Sequence, residues 1–406
     1  MNKKLGYYIV GNKQFEKKIE ALLYATKVYY LLGKTHEPKS LVRWYFNDDI
    51  FSQYAWELEP EQSLKTLYHK RAKQLRDLYD YIIISYSGGA DSHNIVMSFL
   101  DQGLHIDELY VVMMPAGKDK WNSVNKDNTT SILSYVSDNY FQTTPRLKEI
   151  TTRSPTTKIR YLNMIELVPK VFKNYKDASW VLNMREELNP ADVTRYAYSF
   201  FPEFKKSLDK YQKVGILVGI DKPKLHINSF TKQVYVRFTD RLTNAVPIGE
   251  YIKEYTNTTT EFFYWSPDAC DLICKQAHVV KKWIETNTGM QNFYMDNPAL
   301  SLRSQDISLG NAVDINRVFT ERMIIPILYD NWNPSWFQAT KNSRDWFLEC
   351  DNWFIKGAVG TSEHSIWLEG IKYIIDNAQP YVQSPTGFPD CFLRWYKDYY
   401  IGNLYN

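Results

Sequence analysis

Residues 81–100 read YIIISYSGGADSHNIVMSFL, and this stretch decides the fold. Its first six residues are apolar and rich in β-branched and aromatic side chains, which predicts a buried strand over 81–86. A helix follows from about Ser92 to Gln102, ended by Gly103, with one apolar face: Ile95, Val96, Phe99 and Leu100. A strand that feeds a helix through a short polar turn is the repeating unit of parallel sheets, so the stretch predicts an α/β fold.

The alternation of strand and helix continues along the chain. Three further apolar runs have the length of strands: 108–115, 179–184 and 214–220. Helical patterns cover residues 125–140 and 157–174. Short apolar strands that alternate with helices predict a doubly wound, mostly parallel sheet with helices on both faces. Residues 224–240 predict a hairpin that turns near 231–233.

This pattern divides the chain into three predicted regions. Residues 1–78 form a mostly helical N-terminal extension, because helical stripes cover 15–32 and 61–79. Residues 79–245 form the central α/β domain. Residues 246–406 are rich in aromatic side chains, and a helix start at Ser266-Pro267-Asp268 favours a largely helical C-terminal domain.

The composition is that of a globular protein near electrical neutrality. The 406 residues include 49 Lys and Arg against 46 Asp and Glu, a formal charge of +3. That balance does not indicate nucleic acid as a partner, although a local basic patch would remain compatible with it. No apolar run reaches about 18 residues, so we expect no membrane partner. Four cysteines and no secretory signal predict a cytoplasmic protein without a disulfide scaffold.

The turn SGGADS, residues 87–92, has the chemistry of an anion site. The N-terminus of the following helix offers free N–H groups and about half a positive charge. The two glycines allow the backbone to approach a ligand closely, and the two serines add hydroxyl donors. The negative charge of Asp91 would repel a phosphate unless a divalent cation lay between them. Mg²⁺ held by one carboxylate and phosphate oxygens is a usual arrangement. The turn is neither the Walker sequence GxxxxGK[ST] nor the dinucleotide fingerprint GxGxxG.

These residues resemble the SGG-x-DS signature of the N-type PP-loop ATP pyrophosphatases, and every defined position agrees. The superfamily includes GMP synthetase, NAD synthetase, asparagine synthetase, tRNA-thiolating enzymes and the relatives of phosphoadenylyl-sulfate (PAPS) reductase. The order of SGGADS, GIDKP at 219–223 and an aromatic hairpin is similar to phage-encoded PP-loop proteins described as PAPS reductase-like. The resemblance implies a fold like that of the adenine nucleotide alpha hydrolases, with ATP at the carboxyl ends of the strands.

The resemblance also implies an activity, in which ATP is cleaved between its α and β phosphates with Mg²⁺ and an acceptor is adenylated. The acceptor would be a nucleobase, a nucleotide or a small metabolite, which a nitrogen or sulfur nucleophile then attacks. By the same resemblance, Asp91 would be catalytic and would bind Mg²⁺. The pyrophosphate would contact Ser87, Gly88, Gly89, Ala90 and Ser92, and the adenine would lie beside Val112, Met113 and Met114.

A second candidate stretch is LVGIDKPKL, residues 217–225, at the end of a buried strand. Parallel sheets present ligand groups there, so Gly219 would contact the nucleotide. Lys222 would neutralise charge that develops on the phosphates, and Asp221 would bind metal or orient the substrate, unless both are solvated charges of a turn. TTRSPTTKIR is either a solvated helix start or a source of further phosphate contacts: Arg153, Lys158 and Arg160.

The cysteines and the aromatic C-terminal region leave alternatives open. A PAPS reductase-like sulfur-transfer enzyme would use Cys391 or Cys350 as its nucleophile, whereas a protein without turnover would only bind the nucleotide. The i, i+4, i+8 spacing of Cys270, Cys274 and His278 fits inward packing better than a zinc site, which would lack a fourth ligand. The C-terminal tryptophans would either stack bases, pack in a core, shape the second-substrate pocket or form a dimer contact.

Overall fold

The computed structural model describes residues 5–113, 143–163, 170–183, 206–220, 224–228, 230–244, 256–287, 324–331, 362–383 and 392–404. The predicted helix over 125–140 lies outside them. Numbered along the chain, the helices α1 to α9 are Lys18–Leu31, Asp48–Phe51, Leu64–Leu78, Ala90–Leu100, Thr144–Arg153, Trp180–Asn183, Arg241–Asn244, Cys270–Thr286 and Ser362–Asn377. Within the described ranges, none of the helices is long and apolar enough to cross a lipid bilayer.

The N-terminal region contains a small sheet as well as α1, α2 and α3. Its strands β1, β2 and β3 are Tyr7–Val10, Lys13–Phe15 and Val42–Tyr45. They pair antiparallel in the order β2-β1-β3. The prediction of a mostly helical extension is therefore incomplete, because strands of three or four residues are too short to show a periodic pattern.

The centre of the molecule is a parallel sheet of five described strands. These strands, β4 to β7 and β10, are Tyr81–Tyr86, Glu108–Met113, Lys158–Asn163, Val214–Val218 and Thr258–Phe262. They lie in the order β10-β7-β4-β5-β6, and every pairing is parallel. β4 and β7 are buried along nearly their whole length, which explains why both read as almost continuous apolar runs. The predicted α/β class is confirmed.

The order in which the chain visits these strands reverses once. From β4 the chain moves outward through β5 to β6, then returns to the other side of β4 to form β7, and moves outward again to β10. Because the strands are parallel, their carboxyl ends lie at one edge of the sheet. The turn after β4 and the segment after β7 are therefore neighbours at that edge, where the predicted site residues begin.

Three elements differ from the sequence predictions. The predicted helix over 157–174 begins instead with β6, which pairs with β5 along its whole length. The predicted strand over 179–184 is the short helix α6, because the buried Trp180 side chain packs against α9 and donates to Ile366 O at 3.0 Å. β10 lies beyond residue 245, in the region predicted to be largely helical.

The predicted hairpin over 224–240 is confirmed, and a third strand extends it. β8 and β9 (Lys224–Ile227 and Gln233–Thr239) pair antiparallel around a turn in which the Asn228 side chain accepts from two main-chain N–H groups. β11 (Tyr396–Asn403) pairs antiparallel with the other side of β9. The prediction of a largely helical C-terminal region thus misses two strands, β10 and β11.

One hydrophobic cluster joins buried side chains from all three predicted regions, among them Tyr8, Ile84 and Trp265. A buried ion pair lies beside it, in which Lys18 Nζ is 2.9 Å from Asp240 Oδ2 and both side chains are 0% exposed. The Tyr8 hydroxyl donates to the same carboxylate oxygen at 3.0 Å. Apolar and ionic contacts therefore both cross the predicted boundaries, and the division at 78 and 245 stays a prediction.

Candidate functional site

The turn after β4 has a backbone conformation that requires glycine. β4 ends at Tyr86, and α4 begins at Ala90 after Ser87, Gly88 and Gly89. Gly88 has a φ of +75°, and a β-carbon on it would lie 2.5 Å from Thr143 Oγ1 and 2.7 Å from Thr143 Cα. A side chain at this position would therefore be strained by its own backbone and by a neighbour.

The two serines of the turn hold its shape. Ser87 N donates to Ser92 Oγ at 3.3 Å, and the two hydroxyl oxygens are 3.2 Å apart. Gly89 N donates to Ser87 Oγ at 3.2 Å, and Ser92 Oγ donates to Gly89 O at the same distance. Ser92 is buried and Ser87 is exposed, so Ser87 is the hydroxyl of the pair that a ligand in solution can reach.

The first turn of α4 points its N–H groups towards this edge of the sheet. Gly89 occupies the N-cap position, and no side chain caps the helix among the described residues. The first backbone hydrogen bond within the helix runs from His93 N to Gly89 O at 3.0 Å. An α-helix leaves its first N–H groups without partners inside the helix and carries a partial positive charge there. The N-terminus of α4 is thus suited to an anion.

Two residues that the sequence reading missed hold the turn from the other side. Thr143, just before α5, donates through Oγ1 to Ser87 O at 3.0 Å. Arg146, in the first turn of α5, is 1% exposed and donates through Nη1 to Gly88 O. The Thr-Pro pair at 144 and 145 is a helix-start signal, but no local pattern indicates that this helix contacts a turn more than fifty residues earlier.

Gly219, predicted as a nucleotide contact, follows β7 and lies against the same turn. A β-carbon on Gly219 would lie 2.8 Å from Ile95 Cδ1 and 3.2 Å from Ser92 N. Glycine therefore allows the end of β7 to approach the first turn of α4 closely. The structure brings Gly219 together with Ser92 and with the rest of the predicted turn, and its role in binding stays a prediction.

Asp91, the predicted Mg²⁺ ligand, contacts two buried tyrosines. Its Oδ1 atom accepts a hydrogen bond from the Tyr329 hydroxyl, and its main-chain oxygen accepts from the Tyr264 hydroxyl at 2.9 Å. Burial first, and the nearby Asp91 carboxylate second, raise the pKa of both tyrosines well above the ordinary value. Both hydroxyls therefore stay protonated and act as donors.

A magnesium ion at Asp91 would take most of its ligands from the nucleotide and from water. Within the described residues, no group of three or more His, Cys, Asp or Glu side chains could hold a metal ion. One carboxylate with phosphate oxygens and waters is an ordinary set for Mg²⁺. Asp91, in the first turn of α4, fits a metal that arrives bound to phosphates and does not form a metal site alone.

His93 lies behind the turn as a neutral side chain. It is 3% exposed, and its Nδ1 atom is 3.2 Å from the Tyr86 hydroxyl oxygen. Burial, followed by the charges of Arg146 and Arg153, lowers the pKa of His93 from 6.5 to about 3. The histidine adds no charge near neutral pH, whereas Arg146 of α5 brings a positive charge into contact with the turn.

The basic residues of TTRSPTTKIR contact carboxylates of neighbouring elements. Arg153 Nη2 donates to Asp101 Oδ1 at 2.8 Å. Lys158 and Arg160 both form ion pairs with Glu108, the first residue of β5. Because β6 runs parallel to β5, it places Lys158 and Arg160 towards the amino ends of the strands, away from the turn. Their predicted phosphate contacts stay a prediction.

The remaining predicted residues divide into three groups. The main chain of Val112 and Met113 ends β5 at the carboxyl edge of the sheet. Cys270, Cys274 and His278 face inward, as the packing interpretation predicts: His278 Nε2 is 2.9 Å from Trp56 O, and burial raises the pKa of both thiols to about 12. Five of the predicted residues lie outside the described part of the chain: Met114, Asp221, Lys222, Cys350 and Cys391.

Comparisons with protein families and with curated proteins give no match for this chain: no protein-family model matches it, and no curated protein matches it significantly.

Proposed function

We propose that this protein binds ATP with Mg²⁺ and adenylates an acceptor, releasing pyrophosphate. The observation that carries the proposal is the position of the N-terminus of α4, directly after a glycine turn at the carboxyl edge of the parallel sheet. An anion at this place meets main-chain N–H groups and the positive end of a helix. The SGG-x-DS resemblance supplies the class of anion, the phosphates of ATP.

The strand order supports a nucleotide site at the same place. In a doubly wound sheet, ligands bind outside the carboxyl ends of the strands where the order reverses. The order β10-β7-β4-β5-β6 reverses between β4 and β7, and the turn after β4 contacts Gly219 after β7. We therefore propose that the sheet is doubly wound and that the nucleotide lies between these two segments.

The chain's own residues would act by holding charge and geometry. The N–H groups of the first turn of α4, with the Ser87 hydroxyl, would bind the departing pyrophosphate. Arg146 would keep the turn in its binding shape through Gly88 O and would contribute a buried positive charge. Asp91 would hold Mg²⁺, which supplies charge neutralisation on the phosphate oxygens. Phosphoryl chemistry of this kind depends mainly on positioning and electrostatic stabilisation.

The acceptor remains a class rather than a compound. We propose a nucleobase, a nucleotide or a small metabolite, attacked after activation by a nitrogen or sulfur nucleophile. We propose a cytoplasmic location, because the reaction consumes ATP and the few cysteines fit a reducing compartment. A PAPS reductase-like sulfur transfer would need Cys350 or Cys391, since both described cysteines are buried with raised thiol pKa values. Unchanged activity in both Cys350→Ser and Cys391→Ser would exclude that alternative.

A single assay tests the leading proposal. Purified protein is incubated with Mg²⁺, ATP radiolabelled at the α-phosphate and panels of candidate acceptors, and AMP and pyrophosphate are measured. We expect acceptor-dependent release of both products, and we expect Asp91→Ala to abolish it. Tight ATP binding without release, under every acceptor, would instead favour a nucleotide-binding protein without turnover. No ATP binding at all would refute the proposal.

A further inference from the structure

A chain of buried hydrogen bonds links the C-terminal region to the first turn of α4. Gln276 Nε2 of α8 donates to the Tyr68 hydroxyl at 3.0 Å, and Tyr68 donates to Leu328 O at 2.9 Å. The next residue, Tyr329, donates to Asp91 Oδ1. Tyr68, Tyr264 and Tyr329 also pack ring against ring, with centroids about 6 Å apart. The segment 324–331 is thereby fixed against the candidate site.

The two tyrosines at Asp91 contact different parts of that residue. Tyr264 donates to the main-chain oxygen of Asp91 and accepts from Asn94 Nδ2 at 3.1 Å, so it holds the backbone of the helix turn. Tyr329 donates to the carboxylate itself. Both rings are nearly inaccessible, with 1% exposure for Tyr264 and 2% for Tyr329. Of the two, Tyr329 is the one that fixes the rotation of the carboxylate.

The donor from segment 324–331 to the Asp91 carboxylate is a neutral hydroxyl. A cation such as Lys18, which pairs with Asp240, cancels the negative charge of its carboxylate partner. The Tyr329 hydroxyl instead orients the Asp91 carboxylate without cancelling its charge. An oriented, charged carboxylate is what a divalent cation requires of a ligand.

We propose that Tyr329 is a positioning residue that holds the Asp91 carboxylate in the orientation that binds the Mg²⁺ of a metal–nucleotide complex. Through it, the C-terminal segment 324–331 takes part in the nucleotide site without touching the nucleotide. This inference rests on the proposed function, because it assumes that the metal–nucleotide complex binds at the turn. It predicts a defect in the metal-dependent part of nucleotide binding, with the metal-independent part intact.

The experiment compares Tyr329→Phe with wild type and with Tyr81→Phe. Tyr81→Phe is the control, because it also removes a phenol hydroxyl from a buried ring. That hydroxyl donates to a carboxylate too, Glu108 Oε2 at 2.8 Å, but it lies towards the amino ends of the strands. The ligand is the analogue α,β-methylene-ATP, titrated calorimetrically with saturating Mg²⁺ and again with EDTA. We expect Tyr329→Phe to bind the magnesium form about tenfold more weakly, a change of about 1.4 kcal/mol. Affinity in EDTA should match wild type, and Tyr81→Phe should match it in both conditions.

The outcomes distinguish a failure of the positioning role of Tyr329 from a failure of the proposed function. If wild type binds the analogue and Tyr329→Phe shows the same gain in affinity from Mg²⁺, the positioning role is refuted while the proposed function survives. Equal losses with Mg²⁺ and with EDTA also refute it, because a merely structural role would weaken both. If wild type does not bind the analogue, both proposals fail.

A measurement on the unsubstituted protein covers the case in which Tyr329→Phe does not fold. Tyrosine labelled with ¹³C at Cζ reports hydrogen bonding of each hydroxyl by NMR. When Mg²⁺ is added to protein that already holds the analogue, the Tyr329 signal should shift and the Tyr81 signal should not. A Tyr329 signal that ignores Mg²⁺ would contradict the proposed contact.

Discussion

Replacement of Gly88 by alanine tests the geometry on which the candidate site depends. The left-handed backbone at Gly88, with φ of +75°, costs an alanine roughly 1–2 kcal/mol. The new β-carbon would also lie 2.5 Å from Thr143 Oγ1 and 2.7 Å from Thr143 Cα, and overpacking of this kind costs about 1–3 kcal/mol more. Alanine stiffens the unfolded chain, which returns about 0.4–1 kcal/mol. We expect a net loss of about 2–4 kcal/mol in the free energy of unfolding.

Gly103 provides the matched control for the backbone component. It follows α4, has a φ of +67°, and has nothing within 4 Å of the position of a β-carbon. Gly103→Ala therefore carries the conformational strain without the contact with Thr143, and should lose only about 1 kcal/mol. Urea denaturation followed by tryptophan fluorescence measures both free energies of unfolding under identical conditions.

The same pair of variants separates stability from binding. Gly88→Ala moves either the turn or Thr143, so we expect its affinity for ATP to fall at least tenfold, whereas Gly103→Ala should bind ATP as wild type does. Equal destabilisation by the two substitutions would show that Thr143 does not lie where the structure has it. Unchanged ATP affinity in Gly88→Ala, with the expected destabilisation, would remove the turn from the binding site.

Two further predictions concern buried ionisable groups. The depressed pKa of His93 means that the unfolded state binds a proton below its own value of 6.5 while the folded state stays neutral down to about 3. The contribution of His93 to stability is thus complete above about pH 6.5 and is lost as the pH falls below it. Between roughly pH 6.5 and pH 5.5, the free energy of unfolding of wild type should fall by about 1 kcal/mol more than that of His93→Gln, measured by urea denaturation. Parallel pH profiles of the two proteins would contradict this prediction. Asp240→Asn leaves Lys18 charged and buried without its carboxylate partner, so we expect a loss of about 3–5 kcal/mol by the same method, and a change below 1 kcal/mol would show that Lys18 reaches solvent.

The strand–turn–helix unit could be predicted because its signals are local. β4 is an almost continuous apolar run, the helix after it carries a complete apolar stripe, and the glycines of the turn stand between them, all within about twenty residues. β6 was not predictable in the same way, because KIRYLN is neither strongly apolar nor cleanly alternating. Its strand conformation comes from pairing with β5, across a separation that no sequence window covers.

The same distinction between local and distant signals applies to the residues of the candidate site. The sequence alone indicates Ser87 to Ser92 and Gly219, and the structure brings these residues together. The partners of the turn come from distant segments: Arg146 from the start of α5, and Tyr264 and Tyr329 from beyond β10. A tyrosine that orients a carboxylate 238 positions earlier in the chain carries no local mark, since the contact exists only after tertiary packing.

The pairing of β11 with β9 has a consequence for biosynthesis. β9 is the middle strand of its sheet, yet β11 leaves the ribosome long after the β8–β9 hairpin has emerged. Until then, one side of β9 presents unsatisfied main-chain groups beside the apolar side chains of Val234, Val236 and Phe238, which is the kind of surface that recruits strands from other molecules. Nascent chains and fragments that stop before Tyr396 should therefore depend on chaperones, or aggregate through this hairpin.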